Sequence, residues 1–118
     1  MSKYAKIIAV DFDGTLSENK YPGTGEPNRK LFKYLIREQQ EGARIILNTP
    51  RRAEQLDTAV DFCSKYGLEF DAINDNVPEI IKYFGYNSRK IYANEYIDDH
   101  NFGKREFNLP FIMPKSVI

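Results

Sequence analysis

The sequence has 118 residues, of which 42% are hydrophobic and 14% aromatic, and it carries 17 Lys and Arg against 17 Asp and Glu. This length predicts a single domain over residues 1–118, and the apolar content excludes a compositionally disordered chain. The zero net charge argues against a general nucleic-acid footprint, and the single cysteine excludes an internal disulfide or a cysteine-rich zinc site.

The beginning of the chain, MSKYAKIIAVDFDG, contains no apolar segment of signal-peptide length. No apolar run elsewhere approaches the roughly 20 residues that span a bilayer. We therefore expect a cytoplasmic protein with no membrane partner.

The first half of the chain predicts two strands with a helix between them. Ile7 to Val10 is wholly apolar, which is typical of a strand buried on both faces of a parallel sheet. The polar segment Ser17 to Glu26 contains proline and glycine and predicts a loop or short flap. Pro27 is expected to open a helix that stops at Gly42, and Arg44 to Leu47 is predicted as the second buried strand.

The second half continues the same alternation. The expected elements are a helix over Ala53 to Tyr66 with Cys63 on its core side, a strand over Phe70 to Ile73, a helix capped by Asn76 and ended by Gly85, a strand at Tyr96 and Ile97, and a last short strand over Phe111 to Met113.

This order predicts an α/β fold: a three-layer, Rossmann-like, mainly parallel sheet flanked by helices. Ligands of such sheets bind at the carboxyl ends of the strands. The polar residues that follow the predicted strands in this chain are Asp11, Asp13, Thr49, Asp98 and Asp99. We expect a functional site where they meet.

The acidic residues at that edge indicate a metal ion. Asp11 and Asp13 directly follow a buried strand, where two carboxylates repel each other and lose solvation unless a cation offsets the cost. Ligands that are all oxygen, without a nearby His or Cys, suit Mg²⁺ better than zinc. Asp98 and Asp99 follow another strand and could complete the site. A simple Asp-Gly turn is the alternative interpretation of the first pair.

These segments resemble the motifs of the haloacid dehalogenase-like hydrolases. AVDFDGTL, residues 9–16, is similar to the first motif of that family, an apolar strand followed by DxDGT. IILNT, residues 45–49, resembles the second motif, and EYIDD, residues 95–99, resembles the fourth. Lys90 is the best match to the third motif, a Lys or Arg upstream of the fourth, and the resemblance covers nearly the whole chain.

The resemblance implies a Mg²⁺-dependent phosphohydrolase that cleaves a phosphomonoester. Asp11 would be the nucleophile that forms an aspartyl-phosphate, and Asp13 the acid–base. Thr49 and Lys90 would bind the transferring phosphoryl group. The implied metal ligands are Asp11, the backbone carbonyl of Asp13, Asp98 and Asp99.

Several neighbouring residues have two open interpretations. Arg51, and less readily Arg52, could donate to a substrate phosphate, or either could be a solvated surface residue. Lys82 and Lys104 are alternative matches to the third motif. His100 follows the acidic pair and could line the site, but no triad partners accompany it.

Spacing limits the substrate-selecting parts of the chain. About 35 residues separate the first motif from the second and about 40 separate the second from the third, which leaves no room for an inserted cap domain. The implied site is therefore open. A small phosphorylated metabolite is the expected substrate, with a protein or nucleic-acid end phosphate as the alternative, and a homo-oligomer could cover the site.

Two other functions remain open at this point. A phosphoryl-accepting switch, like a two-component receiver, also uses an acidic pocket, a Thr and a Lys on a parallel sheet. Its acidic pair, however, follows the first strand, whereas DxD comes first here and DD late. A non-catalytic relic that binds a partner is the third possibility.

Overall fold

The computed structural model describes residues 6–88 and 90–98, which form a parallel sheet covered by helices. The elements are β1 (Ile7–Val10), α1 (Arg29–Gln40), β2 (Arg44–Leu47), α2 (Ala53–Lys65), β3 (Ala72–Ile73), α3 (Pro78–Phe84) and β4 (Glu95–Ile97). Within the described residues the sheet has four strands in the order β3-β2-β1-β4, and every neighbouring pair is parallel. This confirms the predicted α/β architecture with a parallel sheet and flanking helices.

β1 lies inside the sheet and contributes to two apolar clusters. Ile8 and Val10 belong to the cluster that α1 and α2 cover, whereas Ile7 and Ala9 belong to the cluster beside α3. All four residues of β1 are buried, which explains why the strand is apolar throughout instead of alternating. Cys63 lies in the first cluster, as predicted, and burial raises the pKa of its thiol to about 12.

Two predicted helix starts are corrected by the structure. Asn28, not Pro27, precedes α1 as its N-cap, because the Asn28 side-chain oxygen accepts a hydrogen bond from the Leu31 N–H. Val77 is the N-cap of α3 and makes no side-chain cap bond. The predicted cap Asn76 instead uses its side chain to hold the loop that follows α3.

The third strand is shorter than the predicted Phe70 to Ile73. The Asp71 carboxylate accepts a hydrogen bond of 2.7 Å from the Ile45 N–H, so a side chain replaces a backbone partner just before β3 begins. The predicted strand at Phe111 to Met113 lies outside the described residues. No helix in the described part of the chain is long and apolar enough to cross a bilayer.

A tight turn follows β1 and sets the path of the backbone through the first motif-like segment. The Phe12 carbonyl accepts hydrogen bonds from the N–H groups of Thr15, Leu16 and Ser17 at 3.1, 3.0 and 3.1 Å. Gly14 has a φ of 81°, a conformation that glycine adopts readily. The Phe12 ring is buried in the cluster under α1 and α2, so the turn is attached to the core on that side.

The segment Ser17 to Glu26, which we call the flap, folds back on itself as predicted for a loop. The Ser17 hydroxyl accepts a hydrogen bond from the Gly25 N–H and donates one to the Glu18 carbonyl, both 2.8 Å long. A Cβ on Gly25 would lie 2.5 Å from the Cβ of Glu18, so a larger residue does not fit there. The Tyr21–Pro22 peptide bond is cis.

A buried carboxylate connects the first helix to β4. Glu95 is 4% exposed, and its carboxylate accepts a hydrogen bond from the Tyr34 hydroxyl at 3.0 Å and pairs with the Lys6 ammonium at 2.9 Å. Lys6 also reaches Glu38 of α1 at 3.0 Å. Burial opposes the charge on Lys6, but hydrogen bonds to the two carboxylates and the phenol outweigh it and raise the pKa of this ammonium group.

Replacing this buried carboxylate should destabilise the fold more than replacing the half-buried carboxylate of Glu38. We expect Glu95→Gln to lower the free energy of unfolding by about 1–3 kcal/mol, because the Lys6 ammonium and a buried phenol lose a charged partner. The control Glu38→Gln removes the other carboxylate on Lys6 and should cost less than about 1 kcal/mol. Urea unfolding of both variants measures the difference, and equal losses would contradict the assignment.

The Thr15 side chain provides a second test. Its Oγ1 is buried without a hydrogen-bond partner among the described residues. Because a buried unsatisfied hydroxyl costs about 1–3 kcal/mol, we expect Thr15→Val to leave the free energy of unfolding unchanged or to increase it. Ser17→Ala is the matched control: it removes a buried hydroxyl that makes two bonds and should cost about 1–2 kcal/mol. Thermal unfolding that shows Thr15→Val to be the more damaging change would refute this interpretation.

Candidate functional site

Three strand ends contribute polar side chains to one cavity at the carboxyl edge of the sheet. Asp11 follows β1, Thr49 follows β2 and Asp98 follows β4, and all three line a cavity of about 380 Å³. The remaining lining residues are Ala9, Asn48, Pro50, Tyr96 and Ile97. The structure thus brings together one residue from each of the first, second and fourth motif-like segments.

The backbone around this cavity extends the parallel ladder past the strand ends. The Asp11 N–H donates to the Ile97 carbonyl at 3.0 Å, and the Asn48 N–H donates to the Val10 carbonyl at 2.8 Å. These bonds fix the backbone of Asp11 and Asn48 relative to the ends of the neighbouring strands. The Asp11 carboxylate is also oriented locally, since its Oδ1 accepts a hydrogen bond of 2.8 Å from the Phe12 N–H.

Two hydrogen bonds hold Thr49 in place, one from its backbone N–H and one to its side-chain hydroxyl. Its N–H donates to the side-chain oxygen of Asn74 at 2.8 Å, and Asn74 itself has a φ of 52°. The Thr49 hydroxyl oxygen accepts a bond of 3.2 Å from the Arg51 N–H. A hydroxyl that accepts in this way still carries a proton to donate, so Thr49 can offer a hydrogen bond to an anion in the cavity.

Asp13 does not line the cavity; its carboxylate pairs with Arg51. The Arg51 Nε–H donates to Oδ2 and the Nη2–H donates to Oδ1, both at 2.8 Å, so the two groups form a two-point pair. This is the geometry in which a guanidinium binds a carboxylate most tightly. The hydrogen bonds to Asp13 raise the pKa of Arg51 further above its ordinary range, against the effect of burial.

The other N–H groups of Arg51 are also used within the chain. Nη1 donates to the carbonyls of Pro22 and Gln55 at 3.1 and 3.0 Å, and Nη2 donates to the Gly23 carbonyl at 2.6 Å. A guanidinium has five N–H donors, and all of them are thereby engaged. Arg51 is only 3% exposed. This arrangement does not favour the expected role of Arg51 as a donor to a substrate phosphate.

Aromatic rings enclose the same guanidinium. The Arg51 Cζ lies 4.8 Å from the centre of the Phe12 ring and 5.0 Å from the centre of the Tyr21 ring. Contacts of this kind attract a cation to the ring face. Tyr21 is 54% exposed, so its ring covers Arg51 from the solvent side.

The peptide group of Asp13 is free of hydrogen bonds to the described residues. Neither its N–H nor its carbonyl has a partner there, whereas the Phe12 carbonyl and the Gly14 N–H are hydrogen-bonded within the turn. A backbone N–H can bind an anion and a carbonyl can bind a hard cation. The Asp13 main chain therefore offers two groups to a ligand although its side chain is committed to Arg51.

Lys90 lies in the loop between α3 and β4. Its carbonyl accepts a hydrogen bond of 3.0 Å from the Asn76 side chain, which places the Lys90 backbone beside the start of α3. The Lys90 side chain is exposed and makes no ion pair with the described residues. It does not line the cavity.

The remaining candidate residues from the sequence either are exposed on the surface or lie outside the described residues. Arg52 is exposed and forms the N-cap of α2, and Lys82 is exposed in the last turn of α3. Asp99, His100 and Lys104 lie outside the described residues.

The side chains at the cavity suit a hard divalent cation. Asp11 and Asp98 supply carboxylate oxygens to one cavity, and none of the described residues that line it is a His or a Cys. Within residues 6–88 and 90–98, no group of three or more His, Cys, Asp and Glu side chains is placed to hold a metal. The carboxylate expected to complete the set, Asp99, falls outside that range.

The pairing of Arg51 with Asp13 was not predicted. The sequence signals that favour it are an Arg two residues after the Thr that follows β2 and a Tyr-Pro-Gly turn in the flap. The roles of Asn74 and Asn76 in holding Thr49 and the Lys90 loop were also missed. Both asparagines follow β3, where a short polar side chain can replace a backbone partner.

Comparison with known proteins gives one informative relationship. No protein-family model matches the sequence, and no curated protein matches it. A solved structure of a conserved protein from Bacteroides thetaiotaomicron is 45% identical, over 85% of this chain and 80% of that one, with a TM-score of 0.71. At this identity and coverage the two chains share common ancestry as well as a fold. The chain therefore belongs to the same family as this conserved protein of Bacteroides thetaiotaomicron.

Proposed function

We propose that this protein is a Mg²⁺-dependent phosphohydrolase of the haloacid dehalogenase-like type, which cleaves a small phosphomonoester through an aspartyl-phosphate. The observation that carries the proposal is the meeting of Asp11, Thr49 and Asp98 around one cavity. These residues come from three adjacent strands and stand in the chain order of the motifs that the sequence resembles. A cytoplasmic location agrees with the composition.

Asp11 is the nucleophile in this proposal. The Phe12 N–H bond to Oδ1 orients the carboxylate, and one carboxylate oxygen attacks the phosphorus atom. The new bond joins this oxygen to phosphorus while the ester P–O bond breaks, and the departing oxygen takes the bonding electrons and a proton from the Asp13 carboxyl group. Water then attacks the phosphorus of the aspartyl-phosphate and gives a proton to Asp13. The bond between Asp11 and phosphorus breaks, which releases inorganic phosphate and restores the carboxylate.

The other groups at the cavity stabilise the transferring phosphoryl group. Thr49 donates its hydroxyl proton to a phosphoryl oxygen, and the uncommitted N–H of Asp13 is a second donor. Lys90 is retained as the cation of the third motif, because its ammonium has no partner among the described residues. Its long side chain would have to turn toward the cavity.

The residues that would hold Mg²⁺ are Asp11, Asp98 and Asp99 through their carboxylates and Asp13 through its carbonyl. The carbonyl of Asp13 accepts no hydrogen bond from the described residues, as this role requires. When bound, the ion supplies positive charge that lets a carboxylate approach a phosphate.

The size of the cavity supports a small substrate. At about 380 Å³ it lies near the lower end of the usual range of roughly 300–1,000 Å³ for small-molecule sites. The zero net charge gives no general attraction to nucleic acid. A protein or nucleic-acid end phosphate is the less favoured substrate, and a second subunit could still cover the open edge.

One observation favours a second candidate function, a phosphoryl-accepting switch. Both carboxylate oxygens of Asp13 are engaged by Arg51, and such a group is less able to activate water against an aspartyl-phosphate. The lifetime of the phosphorylated protein separates the two functions. A half-life of minutes or longer, measured after phosphorylation with acetyl phosphate, would favour the switch.

The nucleophile assignment predicts a nearly complete loss of turnover on a conservative change. We expect Asp11→Asn to lower kcat for p-nitrophenyl phosphate by about a thousandfold or more, because an amide cannot form the phosphorylated intermediate. Excess EDTA should give a similar loss that added Mg²⁺ reverses. The control is Asp57→Asn, an exposed carboxylate on α2, which should retain full activity. Turnover that survives Asp11→Asn would rule out this mechanism.

The role of the Thr49 hydroxyl predicts a graded series. Thr49→Val keeps the shape but removes the donor, and we expect kcat to fall by about 10- to 100-fold. Thr49→Ser keeps the hydroxyl and should retain most of the activity. Release of phosphate from an aryl ester measures both variants, and equal activities of the two would contradict the donor role.

A further inference from the structure

Arg51 joins three parts of the chain that are separate in sequence. Its guanidinium binds the Asp13 carboxylate of the first motif, the Pro22 and Gly23 carbonyls of the flap, and the Gln55 carbonyl in the first turn of α2. We call Arg51 and these partners, together with the stacked rings of Phe12 and Tyr21, the Arg51 clamp.

The cation at the centre of the clamp is enclosed by the chain. Arg51 is 3% exposed and every N–H of its guanidinium has an acceptor. Withdrawing the side chain would leave a half-buried carboxylate, 17% exposed, and three carbonyls without their Arg51 donors, which costs more than breaking a fully exposed ion pair. The flap and Asp13 therefore share one anchor.

We propose that Arg51 is a positioning residue that holds the Asp13 carboxylate and the flap as one unit beside the cavity. Loosening the flap then disturbs Asp13, and loosening Asp13 disturbs the flap. The catalytic part of this inference rests on the proposed phosphohydrolase function. There, one Asp13 oxygen exchanges its Arg51 hydrogen bond for a proton, and the second bond keeps the group in place. Asp13 transfers this proton to the departing ester oxygen as the P–O bond breaks and later accepts a proton from the attacking water.

The chemistry of the guanidinium makes Arg51→Lys an informative change. Lysine keeps the positive charge and much of the length, but its single ammonium cannot form two parallel bonds to a carboxylate and also reach three carbonyls. Asp13→Asn keeps the shape at the other end of the pair and removes its charge. Both variants should release the flap if the clamp holds it.

The first experiment measures hydrogen exchange of the flap amides by mass spectrometry and needs no substrate. We expect exchange over residues 17–26 to accelerate by about tenfold or more in Arg51→Lys and in Asp13→Asn, with no further acceleration in the double variant. The control is Arg44→Lys, which disturbs an arginine paired with Asp71 and Glu79 at the start of β2. Flap exchange that stays at the wild-type rate in both clamp variants would overturn the proposal.

The second experiment compares a phosphomonoester with a good leaving group, p-nitrophenyl phosphate, and one with a poor leaving group, n-butyl phosphate. An alkoxide needs a proton from Asp13 far more than a nitrophenolate does. We expect Arg51→Lys to lower kcat for the butyl ester at least about tenfold more than for the nitrophenyl ester, as Asp13→Asn should. Equal losses for both esters would overturn the positioning role even if the flap loosens.

The two experiments separate the inference from the function on which it rests. If the wild-type protein hydrolyses neither ester, the proposed function fails, and the exchange measurement alone still decides whether Arg51 couples Asp13 to the flap. If the wild type turns over and the clamp variants behave as expected in both measurements, the positioning role is supported.

Discussion

The position of β1 inside the sheet is the constraint on which the rest of the structure depends. β1 pairs with β2 on one side and β4 on the other, and both of its faces are covered. Its residues must therefore be apolar, and the first polar residue can appear only where the strand ends. Because all neighbouring strands run in the same direction, their polar ends meet at that edge. Asp11, Thr49 and Asp98 lie around one cavity for this reason.

Much of the fold could be predicted because its signals are local. The bounds of β1 and β2 were predicted as the structure has them, since short apolar runs between polar turns leave little choice. The errors came where a side chain competes with the backbone for a hydrogen bond. Asn28 caps α1, whereas the helix was expected to begin at Pro27. The Asp71 carboxylate accepts the Ile45 N–H in place of a backbone carbonyl, and β3 is shorter than predicted. Composition does not reveal which polar side chain will find such a partner.

The candidate site was predictable to a lesser degree. The polar residues that follow the strands could be assigned to the carboxyl edge of the sheet, and the structure brings three of them together around one cavity. The partner of Asp13 could not be assigned, because Arg51 lies 38 positions away and reaches it only once the flap has folded over. Whether a basic side chain serves a ligand or a neighbouring carboxylate depends on this long-range packing, which strand and helix patterns do not encode.

The cavity and the Arg51 clamp share one short segment of the chain. Thr49 and Pro50 line the cavity, and Arg51 follows them directly and donates its backbone N–H to the Thr49 hydroxyl oxygen. A substitution at Thr49 or Pro50 therefore acts on the residue that orients Asp13 as well as on the ligand. In evolution or in design, such a chain would acquire a new substrate most readily through positions such as Ala9 and Tyr96, which line the cavity but lie outside the clamp.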